Sequence, residues 1–306
     1  MNSYFHSLAA IFLRPASHPG ARRFACAVAM ACLMFVASCA PPVKQPIGPE
    51  RDYLDATDLF KKSNFDRALQ YTEGLASASP ATPYTERARV LRIVIFGSRV
   101  KAYIGLADSY AKGIEATKNP RFKAEYERVR NDALQYGSRS ALALAEEGHR
   151  MMAAGIGKEV VLEAPYPDTE GPTTISQLNP MLQGGWIEPA DQEAAARASL
   201  QKWIDDELAL AVGGDRSKAR TALAAGPVKI SDVDFGIFLG KELLAGAGAL
   251  DRKHYRDYQK FKLITGEADA AAQAVLDMLK ASPDKDKEKA AKKLQADIKD
   301  AVKKNS

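Results

Sequence analysis

Few residues in this chain are equipped for chemistry. Of its three cysteines, Cys26, Cys32 and Cys39, all lie in or at the end of one apolar stretch near the N-terminus. Only Cys39 closes that stretch directly behind small residues. Beyond it just two histidines remain, His149 and His254, too far apart for a local metal motif and without a nearby cysteine. Gly213-Gly214-Asp215-Arg216-Ser217-Lys218 has the composition of a phosphate loop but not its spacing, and it follows a helix rather than a strand. Asp232-Val233-Asp234 is too short for a calcium loop. Neither G-x-S-x-G nor H-E-x-x-H occurs. Glu146-Glu147 and Asp205-Asp206-Glu207 read as solvated helix faces. The expectation is a non-enzyme with no cofactor and no metal. Tyr166 and Trp186 are its candidate ligand or partner surface, while Trp203 is read as packing.

The element that must position Cys39 is a secretory signal. Arg22-Arg23 supply a basic start, residues 24–37 an apolar run, and Ala37-Ser38 the small residues at the cut. The run is shorter than the roughly 20 residues that span a bilayer as a helix, so a removed signal is expected rather than a permanent span. Val36-Ala37-Ser38-Cys39 resembles the lipobox of bacterial lipoproteins. That resemblance implies diacylglycerol on the Cys39 thiol, cleavage just before it and acylation of the freed amine. Ala40 after the cysteine is compatible with delivery to the outer membrane. The implied address is the bacterial cell envelope, anchored through lipidated Cys39 and facing the periplasm.

The formal net charge is +5, but Arg14, Arg22 and Arg23 leave with the signal. The remainder is close to neutral and offers no footprint for nucleic acid. The chain of 306 residues is long enough for one large or two modest domains.

Prolines 41, 42, 46 and 49 mark residues 39–52 as an extended tether reaching roughly 30 Å. Helical periodicity follows. Phe65, Ala68, Leu75 and Pro80 recur as Ala268, Ala271, Met278 and Pro283 with spacings of three, seven and five. Both runs close on Ala-Ser-Pro, with Ala56 and Leu59 upstream of the first and Gly266 just before the second. This resembles the tetratricopeptide repeat, in which small residues let paired helices approach and a proline ends the unit. The first unit also resembles the start of the lipoprotein component of the outer-membrane barrel-assembly machine, through the junction Pro80-Ala81-Thr82-Pro83-Tyr84.

Residues 84–110 carry helical spacing throughout, and the β-branched run 90–96 is read as buried helix because its flanks are helical. Phe122, Tyr126, Val129, Ala133 and Tyr136 form one expected apolar face, and Pro120 suits that helix's first turn. Residues 157–189 hold five prolines and no periodicity. They read either as an ordered loop at a groove mouth or as a boundary between helical halves. Beyond them, Leu200, Trp203, Ile204 and Leu208 form a stripe, and residues 254–264 and 268–279 are expected as a closing helix pair. The Lys-rich tail, 284–306, reads as a solvated capping helix.

The fold expected is all-α: a tetratricopeptide-like helical-hairpin solenoid or array with a long Pro/Gly-rich irregular segment. Its divisions are signal 1–38, tether 39–52, N-terminal half 53–156, connector 157–189, C-terminal half 190–283 and tail 284–306. The expected role is a lipid-anchored scaffold that binds another envelope protein. The alternative is a small-molecule binding helper for a transporter, with 157–189 lining the pocket.

Overall fold

The structure is a computed structural model that describes residues 47–155, 159–167 and 189–306, with backbone alone over 189–195. The signal, Cys39, most of the tether and Trp186 lie outside the described residues.

Helix α1 spans Pro49–Lys61, so the last residues assigned to the tether are already helical. Pro49 sits in the first turn, where a missing N–H costs nothing. A short turn leads to α2, Phe65–Ala76, which starts when the Asn64 side chain accepts the Arg67 amide. Phe60 and Phe65 meet edge-to-face across this turn, at 5.3 Å between ring centres. Ala56 and Ala68 are fully buried where the two helices touch.

Helix α3, Pro83–Ala116, and helix α4, Pro120–Ala153, are each 34 residues long. Each of them alone is as long as a whole two-helix repeat, so the expected array does not describe the middle of the chain. Thr82 and Thr85 cap α3 reciprocally, and Asn119 caps α4. The run 90–96 is helix, and Val90, Leu91, Ile93, Val94 and Ile95 are all buried. On α4 the expected face holds at Tyr126 and Ala133 but ends early. Leu134 and Gly137 turn inward instead, and Tyr136 is 50 % exposed.

Strand β1, Glu159–Leu162, pairs antiparallel with β2, Val228–Ser231. No periodicity announced it, since four-residue strands are too short to show a pattern. Between them come α5, Pro189–Ala211, and α6, Arg216–Ala225. Gly213 and Gly214 adopt φ of 110° and 92° to turn the chain between these helices.

Helix α7, Asp232–Gly248, is capped by Ser231, whose hydroxyl accepts the Asp234 amide. Helix α8, Tyr258–Ala281, is one uninterrupted helix, which corrects the expected closing pair. Gly266 lies inside it; its propensity cost of about 1 kcal/mol is too small to break a helix whose neighbours Ile264, Ala268, Ala271 and Ala272 are buried. The expected first helix of that pair began at His254, which instead sits in the turn before α8. Helix α9, Lys285–Asn305, folds back on α8 and buries Ala291, Leu294 and Ile298.

Helix α7 is the hub. It packs against α3, α4, α5, α8 and α9, whereas the units of a solenoid touch only their neighbours. Glycines on α7 permit this crowding: a Cβ on Gly240 would come within 2.6 Å of Leu294 on α9. Residues 47–306 therefore cluster as one unit.

Arg92 on α3 ties α2, α3 and α4 together. Its guanidinium pairs with Glu147 of α4 at 2.6 Å and Glu73 of α2 at 2.5 Å, and donates to the Leu69 carbonyl at 2.9 Å. The side chains of Arg92 and Glu147 are only 6 % and 2 % exposed. Removing one partner strands a buried charge, so Arg92→Ala is expected to cost about 3–5 kcal/mol in urea unfolding. Arg128→Ala, at the exposed pair with Glu125 and Asp132, should leave the urea midpoint nearly unmoved.

Candidate functional site

Two arrangements in the described residues go beyond ordinary packing: a buried charge cluster between α3, α5 and α7, and the outer end of the α3–α4 hairpin.

In the cluster, Lys101 of α3 lies between Glu242 of α7, at 2.8 Å, and Glu207 of α5, which its Nζ also contacts. Both glutamate side chains are 1 % exposed, against 19 % for the lysine. The backbone makes room for them. Gly97 lies one turn before Lys101, and a Cβ there would come within 2.6 Å of Glu242 Oε2. Each carboxyl spends Oε1 on the lysine and leaves Oε2 buried without a donor. Burial, followed by the neighbouring Glu242, pushes the Glu207 carboxyl up to about 9 against the pull of Lys101. Burial alone would lower Lys101, but the two glutamates hold it above the usual lysine value. Glu207 is thus held as a neutral carboxylic acid at neutral pH beside the Lys101 ammonium. A protonated Glu207 brings a donor of its own to a place where buried oxygens lack one.

Sequence reasoning placed Glu147 and Glu207 on solvated faces, and both are buried. Adjacent residues on a helix point about 100° apart. Glu146 therefore stays exposed while Glu147 turns to Arg92, and Glu207 turns inward beside Ile204 and Leu208. The signal that finds them is a cation on another helix, which spacing along one helix does not reveal. Among the described residues no group of three or more His, Cys, Asp or Glu side chains could hold a metal ion. The cluster clamps the three helices α3, α5 and α7.

Tyr166 is occupied by packing. Its hydroxyl donates to the Asp205 carbonyl at 3.1 Å, and the Arg220 guanidinium stacks 4.7 Å from its ring centre. The strand end beside it is pinned in the same way: Tyr53 donates to the Glu163 carbonyl at 2.8 Å, and Arg87 pairs with the Glu163 side chain. The described start of segment 157–189 is therefore tied to α1, α3 and α5. His149 and His254 are apart; the first meets Glu267 on the surface, the second Gly248 and Asp251 in its own turn.

A groove of about 430 Å³ lies between the C-terminal end of α5, β2 and α7, floored by Leu210, Ala211, Ile230 and Phe238. Part of its polar rim is already engaged, Lys229 with Glu159 and Asp234 with Lys287 and Ser231, while Lys241 also lines it. That leaves few groups to orient a small ligand.

The outer end of the α3–α4 hairpin is different. The α7–α8 turn reaches the hairpin at Asp108, which pairs with Lys253 at 2.9 Å. Beyond it, Tyr110 and Tyr126 form a small core with Leu106, Ile114, Phe122 and Val129, all from α3 and α4. Residues 109–116 extend about 12 Å past that point at 1.5 Å per residue. The end is cationic. Lys112, Lys118, Arg121 and Lys123 are exposed and have no ion pair among the described residues, with Glu115 the lone acid between them. At the base of this arm Tyr103 stacks on the half-exposed Tyr136, with ring centres 5.5 Å apart.

No protein family, characterised protein or solved structure matches the chain. What it does must be argued from the geometry above. Among the described residues no helix is long and apolar enough to cross a membrane.

The charge cluster makes a definite pH prediction. The folded state holds the Glu207 proton up to about pH 9, while an unfolded glutamate releases it near 4.5. Stability from this group is full below the unfolded value and declines as pH rises toward 9. Glu207→Gln keeps the shape and the donor, so its urea midpoint should fall less steeply between pH 5 and 9 than that of the parent. Parallel slopes would show that Glu207 is already ionised in the folded protein.

Proposed function

We propose that this chain is a lipid-anchored scaffold of the bacterial cell envelope, facing the periplasm, which docks another envelope protein on its helices. The observation that carries this reading is the α3–α4 arm. Among the described residues it has its own small core, an aromatic ledge at its base and exposed cations without an ion pair at its end. Two-helix projections of this kind offer an interface without disturbing the fold beneath. Tyr and Arg, both present along the arm, are the residue types enriched at protein interfaces.

The tetratricopeptide-like part of the reading is kept for the α1–α2 hairpin. There Ala56 and Ala68 are the small contacts, Phe65 and Leu75 the large ones, and Pro80 the stop. The lipid anchor rests on Val36-Ala37-Ser38-Cys39. The alternative of a small-molecule helper has residues 157–189 as its lining, most of which lie outside the described residues.

The test is crosslinking and purification of the tagged protein from detergent-solubilised membranes, read by mass spectrometry. Two variants accompany it: Cys39→Ala, and an arm-shortened chain in which residues 110–126 are replaced by a short glycine-containing turn. The expected result is one envelope protein captured in near-stoichiometric amount by the parent and lost from the shortened chain, which keeps its thermal midpoint. Cys39→Ala should shift the protein from the membrane to the soluble fraction. Equal capture by parent and shortened chain would remove the arm from the proposal.

A further inference from the structure

The groove beside β2 offers few side chains to orient a small ligand, but it runs beside a row of backbone groups. Val228, Lys229, Ile230 and Ser231, the whole of β2, line it. Successive side chains of a strand point to opposite faces, so a groove touched by four residues in a row follows the strand's side. The other side of β2 holds the ladder to β1. In an antiparallel pair, alternate N–H and C=O groups turn away from the partner strand. Among the described residues the backbone of Val228, Lys229 and Ile230 makes no hydrogen bond outside that ladder. Strand β1 is covered differently: α3 packs on it, and Tyr53 takes the Glu163 carbonyl just beyond it.

The rest of the groove matches an extended chain with alternating side chains. Leu210 and Phe238 floor it, and Leu210 is 37 % exposed. Asp234, Ile237, Phe238 and Lys241, spaced three, four and seven residues on, form one face of α7 and prolong the groove beyond the strand. Lys229 is the kind of residue that guards an open strand edge, yet its charge is tied to Glu159 on the neighbouring strand. Asp234 is tied to Lys287. Lys241 is exposed and has no ion pair among the described residues, so the unmatched charge along the groove is positive.

We infer that the open side of β2 receives an extended segment of a partner protein as a third strand, with alternate apolar side chains on Leu210 and Phe238 and a carboxylate at Lys241. In such additions main-chain pairing supplies the affinity, and pockets for alternate side chains supply the selectivity. The inference does not depend on the docking arm. The groove lies at the start of α7, whereas the turn that meets Asp108 follows its end, about 25 Å along its 17 residues.

The experiment measures fluorescence anisotropy of a labelled seven-residue peptide of alternating threonine and valine that ends on glutamate, titrated with the full chain in non-ionic detergent. Two further copies of the peptide carry N-methyl groups, one on its threonines and one on its valines. Alternate N–H groups of an extended strand face the same side, so only one set meets β2. That set should weaken binding by about tenfold or more, and the other by less than about twofold. Leu210→Arg should weaken it by about tenfold and Lys241→Glu by about threefold to tenfold, while Leu263→Arg, at an exposed leucine of α8, should change it by less than about twofold. Equal effects of the two methylated sets would overturn strand pairing, and no binding by the parent would overturn the inference. In that second case, binding that appears once residues 170–186 are replaced by a glycine-serine linker would assign the strand edge to the chain's own segment. A parent dimer that Leu210→Arg separates would assign it to a second copy. The arm-shortened chain should bind the peptide as the parent does, so failure of either site leaves the other standing.

Discussion

The apolar stretch of α3 from Val90 to Val100 is the constraint on which the rest of the fold depends. A helix with apolar residues on all sides must be enclosed on all sides. Helices α2, α4, α5 and α7 supply that enclosure, and every one of them packs on α3. Because the enclosing helices come from distant parts of the chain, one unit results rather than two halves. The Pro-rich segment between α4 and α5 does not separate them; its described start pairs as β1 with β2 and is pinned to α1, α3 and α5.

Two cations on that same stretch explain the buried carboxylates. Arg92 and Lys101 sit nine residues apart on α3, each inside the enclosure or at its edge. Desolvated charge is tolerated only when matched, so each recruits carboxylates from neighbouring helices. Arg92 brings in Glu147 and Glu73, and Lys101 brings in Glu207 and Glu242. Such pairs add little net stability beside well-packed apolar residues, but they penalise every misregistered packing. Here they fix how α2, α4, α5 and α7 are set along α3. The lysine between the two buried acids makes them a clamp of α3, α5 and α7.

Beyond Lys101 the character of α3 changes. Its apolar residues narrow to one stripe that faces α4, and the body stops covering it near Asp108. The hairpin continues because two amphipathic helices can satisfy one another, with Tyr110 against Tyr126 at the centre. What is left outward is charge and the edge of a tyrosine pair. It is on this outward surface that the proposed docking rests.

The sequence by itself determined the helical class, the helix start at Pro120 and the buried reading of the β-branched run, because these depend on residues within a turn or two of one another. It also carried the lipobox-like run, which lies outside the described residues. Local spacing misled at Gly266, where a glycine looked like a break and buried neighbours kept the helix whole. It misled again at Tyr136, where a regular apolar step ran past the point at which a partner helix exists to cover it. Only the tertiary structure decided that Glu147 and Glu207 are buried, that α7 is the hub, that β1 meets β2 sixty-six residues after it closes, and that the α3–α4 hairpin ends in the open. The reason is physical: periodicity says which face of a helix is apolar, but whether a charge is desolvated or a face covered depends on helices that arrive from elsewhere in the chain.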